Sequence, residues 1–185
     1  MMDQEKKWIK EIKRKANTEA ANQLIAKYYK EIYAFVYKQT IDTELALDLT
    51  QEIFISVLKS IHQFEGRTAT FRTWLYRIAS NRVVDFYRSR HYKMRRISDT
   101  IEDMELHDSE DLVVSLEYKE EMERIASIIN SLETSYQKVI RLKLFGEYRF
   151  HEIAEMEQLP LSTVKTRYYA ALKLIKMEMK EFSHD

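Results

Sequence analysis

The chain has no cysteine, one proline and two glycines in 185 residues. Without cysteine there are no disulfides, no thiol nucleophile and no cysteine-ligated zinc site. A chain of average composition would carry roughly 20 glycines and prolines together. Sheets and long loops need those residues at their turns, so their scarcity predicts helices joined by few connections. No apolar run approaches the ~20 residues of a membrane span, and the N-terminus MMDQEKKWIKEIKRK reads as a charged helix rather than a signal peptide. The 45% of apolar residues is enough for a core. These features predict a soluble, all-α, cytoplasmic protein.

Thirty basic residues balance thirty acidic ones, but unevenly along the chain. Between Arg67 and Arg96 nine Lys/Arg face a single acid, Asp85; between Asp99 and Glu123 eleven acids face Lys119 alone. From Lys138 to Lys180 nine Lys/Arg outnumber five Glu. Two basic blocks around an acidic stretch predict two polyanion-binding modules and a solvated linker, against the plainer reading of wet helix faces. A neutral total gives little long-range attraction to DNA, which suits a protein that reads DNA as part of a larger machine.

Apolar residues recur at helical spacing in Ala20, Leu24, Tyr28, Ile32 and Phe35. The segment from Thr43 to Ile61 carries two stripes, Leu45, Leu49, Ile53, Val57 and Leu47, Phe54, Leu58, Ile61. Two stripes on one helix predict either a central position in a bundle or a partner on the second face. Thr70 is placed to cap a third helix that runs to about Arg90. From His91 to about Ser115 the periodicity fades into a charged, flexible linker. It returns with Leu116, Met122, Ile125, Ile128, Ile129 and Leu132, then in segments from Tyr136 to Phe145, Phe150 to Glu157 and Ser162 to Phe182. The predicted architecture is two small helical domains, residues 1–92 and 116–185, joined by an acidic flexible linker over 93–115.

The segment RFHEIAEMEQLPLSTVKTRYYAALKLI has the spacing of a helix-turn-helix. Ala154 is small where a second helix crosses, and Leu159-Pro160-Leu161 forms the turn. Ser162 is predicted as the N-cap, with Val164 inward. Lys165, Thr166, Arg167 and Tyr169 then project towards a major groove, while Ser162 and Thr163 suit a phosphate. An ordinary helical hairpin is the alternative.

In the first basic block, aromatic residues interleave with arginines from Phe64 to Tyr92. Bases stack on aromatic rings while arginines follow phosphates, a pairing that suits single-stranded nucleic acid. Phe71, Trp74, Leu75 and Ile78 sit at core spacing. Arg77, Asn81, Tyr87, Arg88 and Arg90 are the better candidates for contact, and the Asn81 amide can pair with a flipped base.

DLTQEIFISVLKSIHQFEG, FRTWLYRIASNRVVDFYRSR and EIAEMEQLPLSTVKTRYYAALKLI, in that order, resemble the extracytoplasmic-function (ECF) sigma factors, small sigma subunits of bacterial RNA polymerase. The resemblance implies transcription initiation under stress control, without catalysis or a cofactor or metal. It implies that the first domain (region two) binds the polymerase clamp helices through Asp48, Gln51, Glu52 and Phe54. The same domain would capture the non-template strand of the −10 element through Asn81, Phe64, Tyr76, Arg77, Tyr87, Arg88 and Arg90. The second domain (region four) would read the −35 duplex through Ser162, Thr163, Lys165, Thr166, Arg167 and Tyr169, and dock on the polymerase flap. Gln158 stands where a glycine often closes the first helix, and Ala170 where many members carry arginine, which gives Lys173 more weight. Binding the opened strand better than the closed duplex would offset steps of ~1.4 kcal/mol each. Members are usually held by an anti-sigma factor, sometimes membrane-bound, with no insertion of the sigma factor itself.

Three rivals remain at this point. A stand-alone helix-turn-helix regulator leaves DLTQEIF unexplained, and an RNA-binding module has no need of the second motif. An enzyme would need a rigid constellation, whereas the five histidines are scattered and the acids cluster in the linker.

Overall fold

The computed structural model describes residues 2–67, 69–97 and 113–181, with side chains placed over 4–67, 69–89 and 120–180. Among the described residues there are eight α-helices and one 3₁₀ turn, and no strand. The helices are α1 (Met2–Lys15), α2 (Thr18–Thr40), α3 (Thr43–Ser60), α4 (Phe71–Ile97), α5 (Val113–Ser131), α6 (Thr134–Leu144), α7 (Phe150–Glu157) and α8 (Leu161–Glu181), with the 3₁₀ turn at Ile61–Gln63. No helix of the described residues is long and apolar enough to cross a membrane.

Local capping explains the boundaries of the first bundle. Asn17 Oδ1 accepts from the Ala20 amide at 3.0 Å and opens α2, and Asp42 Oδ1 accepts from Leu45 at 2.9 Å to open α3. Thr70 Oγ1 accepts from Thr73 N at 3.1 Å before α4, as its place in the sequence predicts. The stripe Ala20, Leu24, Tyr28, Ile32 and Phe35 is buried throughout. It meets Leu49, Ile53 and Val57 of α3 and Phe71, Leu75, Ala79 and Val83 of α4 in one core. The charged α1 adds a fourth helix to the predicted three, tucking Ile9 and Ile12 against this core.

The predicted all-α fold of two helical halves is borne out, and the structure adds two details. Helix α4 continues to Ile97 and α5 begins at Val113, so regular structure enters both ends of the expected linker; residues 98–112 lie outside the described residues. The two helical halves also do not stand apart. Val139, Leu142, Tyr148, Ile153, Met156 and Val164 of the C-terminal half belong to the same core cluster as α1–α4. A second, smaller cluster of Ile128, Ile129, Ile140, Ala171 and Ile175 belongs to α5, α6 and α8 alone.

Glycine scarcity leaves a mark on the backbone. Helices must still end, and the left-handed residue that commonly ends one is here Ile41 after α2 (φ 52) and Gln158 after α7 (φ 54), with Ala16 (φ 47) and Glu147 (φ 58) in neighbouring turns. A side chain in that conformation costs roughly 1–2 kcal/mol where glycine costs little. Gly146 is needed for space instead, since a Cβ there would lie 2.9 Å from both the Leu142 carbonyl oxygen and the Tyr148 ring.

Replacing the exposed Gln158 with glycine should therefore stabilise the protein by about 1 kcal/mol, less the entropy that glycine adds to the unfolded chain. An unchanged or lowered Tm in thermal unfolding followed by circular dichroism would remove the strain assignment. Gly146→Ala should instead cost about 1–3 kcal/mol, because the collision is with backbone and a packed ring. Urea titration of that variant measures it, and a wild-type midpoint would refute the crowding.

Candidate nucleic-acid and polymerase surfaces

The C-terminal motif is built as the spacing predicts. Helices α7 and α8 are joined by Gln158, Leu159 and Pro160. The Gln158 and Leu159 amides both donate back into the end of α7, the latter to the Ala154 carbonyl at 3.0 Å, which fixes the turn. At the other end of α7 the Arg149 amide donates to the Glu152 carboxylate at 2.7 Å. Helix α8 begins at Leu161, one residue before the expected cap, so Ser162 lies in its first turn rather than capping it. Val164 and Ala171 are wholly buried and press α8 onto α6 and α7.

That packing leaves Ser162, Lys165, Thr166, Tyr169 and Lys173 exposed, with Thr163 and Arg167 half-buried. Thr166 Oγ1 donates to the Ser162 carbonyl at 2.9 Å, and the Tyr169 ring leans on Tyr168 at 5.3 Å. These residues form a continuous basic and aromatic strip along one helix. Ala170, at the departure from the family pattern, is half-buried and presents no charge.

On α3, Asp48, Gln51 and Glu52 are exposed together. Phe54 is not available beside them: it is 5% exposed and faces Tyr29 in the core, because position 54 falls on the buried side of the helix. The apolar groups that do reach the surface are Leu47 and Ile55, at 37% and 51% exposure. Leu47 was visible as part of the second stripe; Ile55 lay outside both stripes. Glu52 is ion-paired with Arg82 of α4, whose Nε lies 2.7 Å away.

The expected strand-binding residues of α4 divide. Phe64 is half-buried against Phe71 and Trp74, with centroids at 5.5 and 5.4 Å, and its carbonyl accepts from Lys13. Asn81 is half-buried, and its side-chain oxygen is buried with no hydrogen-bond partner among the described residues. Arg88 is exposed beside Asp85 at 3.0 Å. The Arg90 side chain lies outside the described residues. Tyr76 and Tyr87 are corrections: both are buried, at 4% and 8% exposure, because α6 and the α6–α7 turn pack over this side of α4. The Tyr76 hydroxyl donates to Glu31 at 3.0 Å and that of Tyr87 to the Gln39 carbonyl at 3.3 Å. Burial and the Glu31 carboxylate push the Tyr76 phenol well above its ordinary range. Arg77 approaches the Met156 carbonyl at 3.5 Å, the limit of hydrogen bonding. Phe71 and Leu75 are core and Trp74 and Ile78 pack against it, as their spacing predicts.

Comparison with known proteins agrees with this arrangement. Residues 24–92 match the family model described as Sigma-70 region 2, and residues 122–175 match Sigma-70, region 4. The chain is 31% identical to the ECF RNA polymerase sigma factor SigW of Bacillus subtilis over 95% of this chain and 97% of the relative. It is 30% identical to SigX of the same organism, covering 83% and 80% of the two chains. Among solved structures, CnrH in complex with the cytosolic domain of CnrY superposes over 97% of this chain and 99% of its own, with 21% identity and a TM-score of 0.63. The sigma factor RpoE in complex with the anti-sigma factor NepR from Bartonella quintana covers 86% and 96%, at 19% identity and a TM-score of 0.53. An N-terminal helical bundle and a C-terminal helix-turn-helix, matching regions 2 and 4 in order along nearly the full length of SigW, place this chain in the family of ECF RNA polymerase sigma factors.

Proposed function

We propose that this sigma factor divides its work between residues 1–92 and 116–185, with each surface described above meeting one component of the transcription machinery. The observation that carries the reading is the strip on α8, which has a geometry suited to a major groove: a long helix packed by its back, with Ser162, Lys165, Thr166, Tyr169 and Lys173 exposed along its front and Thr163 and Arg167 half-buried beside them. This strip reads the −35 duplex. Lys165 and Arg167 add the charge, and Ser162 and Thr163 sit at the helix N-terminus where a phosphate is favoured.

The exposed acids and amide of α3 (Asp48, Gln51, Glu52), framed by Leu47 and Ile55, meet the clamp helices of core RNA polymerase. A surface that mixes exposed aliphatic groups with carboxylates is suited to a basic, partly apolar partner. Helix α4 and the preceding turn take the opened −10 strand, with Asn81 as the base reader. Its buried, unsatisfied oxygen is supported as a reader by the cost of leaving such an atom unpaired, since a base amine restores the bond. Phe64, Arg77 and Arg88 complete this surface, and the family resemblance adds Arg90, whose side chain lies outside the described residues. No covalent chemistry is involved, and the protein works where the polymerase does, in the cytoplasm. The solved relatives bound to CnrY and NepR support an anti-sigma partner for this chain as well.

Run-off transcription with purified core polymerase on a genomic fragment library tests the whole reading. New start sites that need both proteins, with reactive thymines near −10, are expected; footprints independent of polymerase would replace it with a conventional regulator. Substituting Lys165 and Arg167 together by alanine should weaken duplex binding and lower the salt slope by about 2, since each phosphate contact contributes roughly one unit. An unaltered slope would exclude α8 as the reading helix. Asn81→Ala should change base preference at −10 while polymerase binding stays at the wild-type level, and a variant that merely unfolds would count against the base-reader role.

A further inference from the structure

Helix α1 lies outside both matched family regions and presents an unmatched basic face. Lys6, Lys7, Lys10, Arg14 and Lys15 are exposed. The two acids among its described side chains, Glu5 and Glu11, are half-buried and engaged. Glu5 accepts from the Tyr28 hydroxyl at 2.6 Å and pairs with Lys27, and Glu11 accepts from Asn17 Nδ2 at 3.3 Å. By helical rotation Lys6, Lys7, Lys10 and Arg14 share an arc of about 100°, turned away from the buried Ile9 and Ile12. The four run along roughly 12 Å of helix. Among the described residues none of them meets a carboxylate.

Nothing in the folding of α1 asks for this arrangement. The helix docks on its other side, through Trp8, Ile9 and Ile12. Lys6 with Lys10, and Lys10 with Arg14, are like charges four residues apart, a spacing that destabilises a helix. The cations of α4 differ, since Arg72, Arg82 and Arg88 each hold a carboxylate. The charge on α1 is therefore free for a partner outside the chain.

Helix α1 also reaches the turn between α3 and α4. Lys13, at the edge of the basic face, donates to the Phe64 carbonyl, and its ammonium lies 5.8 Å from the centre of the Phe64 ring. Between Glu65 and Arg67 no backbone hydrogen bond is made among the described residues, and Gly66 is left-handed (φ 69). Lys13 thus ties α1 to a turn that has little else to hold it. A strand stacked on Phe64 meets the α1 strip at Lys13, with Lys10 and Arg14 next to it along the helix.

We propose that the basic face of α1 binds the phosphate backbone of the opened strand, extending the strand site beyond the region 2 match. The free charge rests on geometry alone; the opened strand as its occupant rests on the reading of the turn given under the proposed function. Single-strand sites couple an aromatic platform to a line of cations. Phe64 supplies the first, and α1 supplies cations with no carboxylate to displace. A membrane surface fits less well, because an interfacial helix inserts its apolar face and that of α1 is packed in the core.

The full-length chain, assembled on core polymerase, is titrated with a random-sequence single-stranded DNA oligonucleotide over a series of salt concentrations. Lys10→Gln with Arg14→Gln should lower the salt slope by about 1.4, since each single-strand phosphate contact contributes roughly 0.7. At ~0.1 M salt the same loss weakens binding by up to about 25-fold. Lys10→Gln alone should give half the change in slope. Lys30→Gln with Lys38→Gln removes the same charge from exposed positions on α2 and should leave the slope at its wild-type value. The Tm of the α1 variant should not fall, because a like-charge pair is removed, so that lost binding is not lost fold. Equal slopes in the two double variants overturn the proposal. A slope that falls only on duplex DNA of the same sequence pool overturns the opened strand as occupant. Phe64→Ala tests the reading beneath the proposal: stacking releases no counterions, so binding should weaken with the slope unchanged. Wild-type affinity in Phe64→Ala, with the slope of the α1 variant lowered, moves the strand site away from the turn and leaves α1 as a DNA surface. A weakened Phe64→Ala beside an unaltered α1 variant refutes the role of α1 and keeps the turn as the strand site.

Discussion

The burial of one cation governs how the two halves of this protein meet. Arg141 has five donors and no acceptor, and it cannot shed its charge at any ordinary pH. Once α6 carries it inward, its surroundings must supply oxygens from several helices at once. Gln39, Asn130 and Gln137 do so from α2, α5 and α6, and Tyr87 of α4 supplies the ring. Slippage of α6 along this seat would leave both the guanidinium and the amides unsatisfied. The apolar core that spans the halves gives cohesion without register, and Arg141 supplies the register.

Helix α4 is the wall that both halves share. Phe71, Leu75, Ala79 and Val83 face the N-terminal core, while Arg72, Tyr76 and Tyr87 face α6 and the turn that follows it. Its outward cations are matched as well: Arg72 by Glu31, Arg82 by Glu52 and Arg88 by Asp85. Among the described side chains, three of the four arginines of α4 are thus ion-paired within the fold. Exposed pairs of this kind are worth only about 0–1 kcal/mol each, so exchanging a carboxylate for a phosphate costs little. The pairing holds the arginines extended without making them unavailable.

Much of this was legible in the sequence, for reasons that differ by element. The stripes of α2 and α3 and the turn around Pro160 follow from period and capping, which are local, and they appear where expected. Helix α1 docks through Trp8, Ile9 and Ile12 and through Glu5, which accepts from the Tyr28 hydroxyl; so short an apolar stripe among charges does not say where the helix packs. Tyr87, by its place among arginines, and Tyr76, by the family resemblance, read as strand contacts because such an aromatic residue looks alike whether its partner is a base or a guanidinium. Here the partners are Arg72 and Arg141, the second of them more than fifty residues away along the chain. Arg141 itself stands in VIRLKL, where a lone arginine beside buried neighbours reads as a surface residue. Only the tertiary arrangement turns it inward.

Along α8, Lys165, Thr166, Tyr169 and Lys173 are exposed with the halves together, whereas on α4 the Tyr76 ring is covered by Tyr148 and Arg77 meets the Met156 carbonyl at the limit of hydrogen bonding. The packing of the halves therefore leaves the cations of α8 open to solvent while it engages those of α4. A neutral chain gains little from long-range attraction to DNA, so contacts at short range must supply the affinity. On the assignment of α8 proposed above, the element that carries those contacts is the one the packing leaves free.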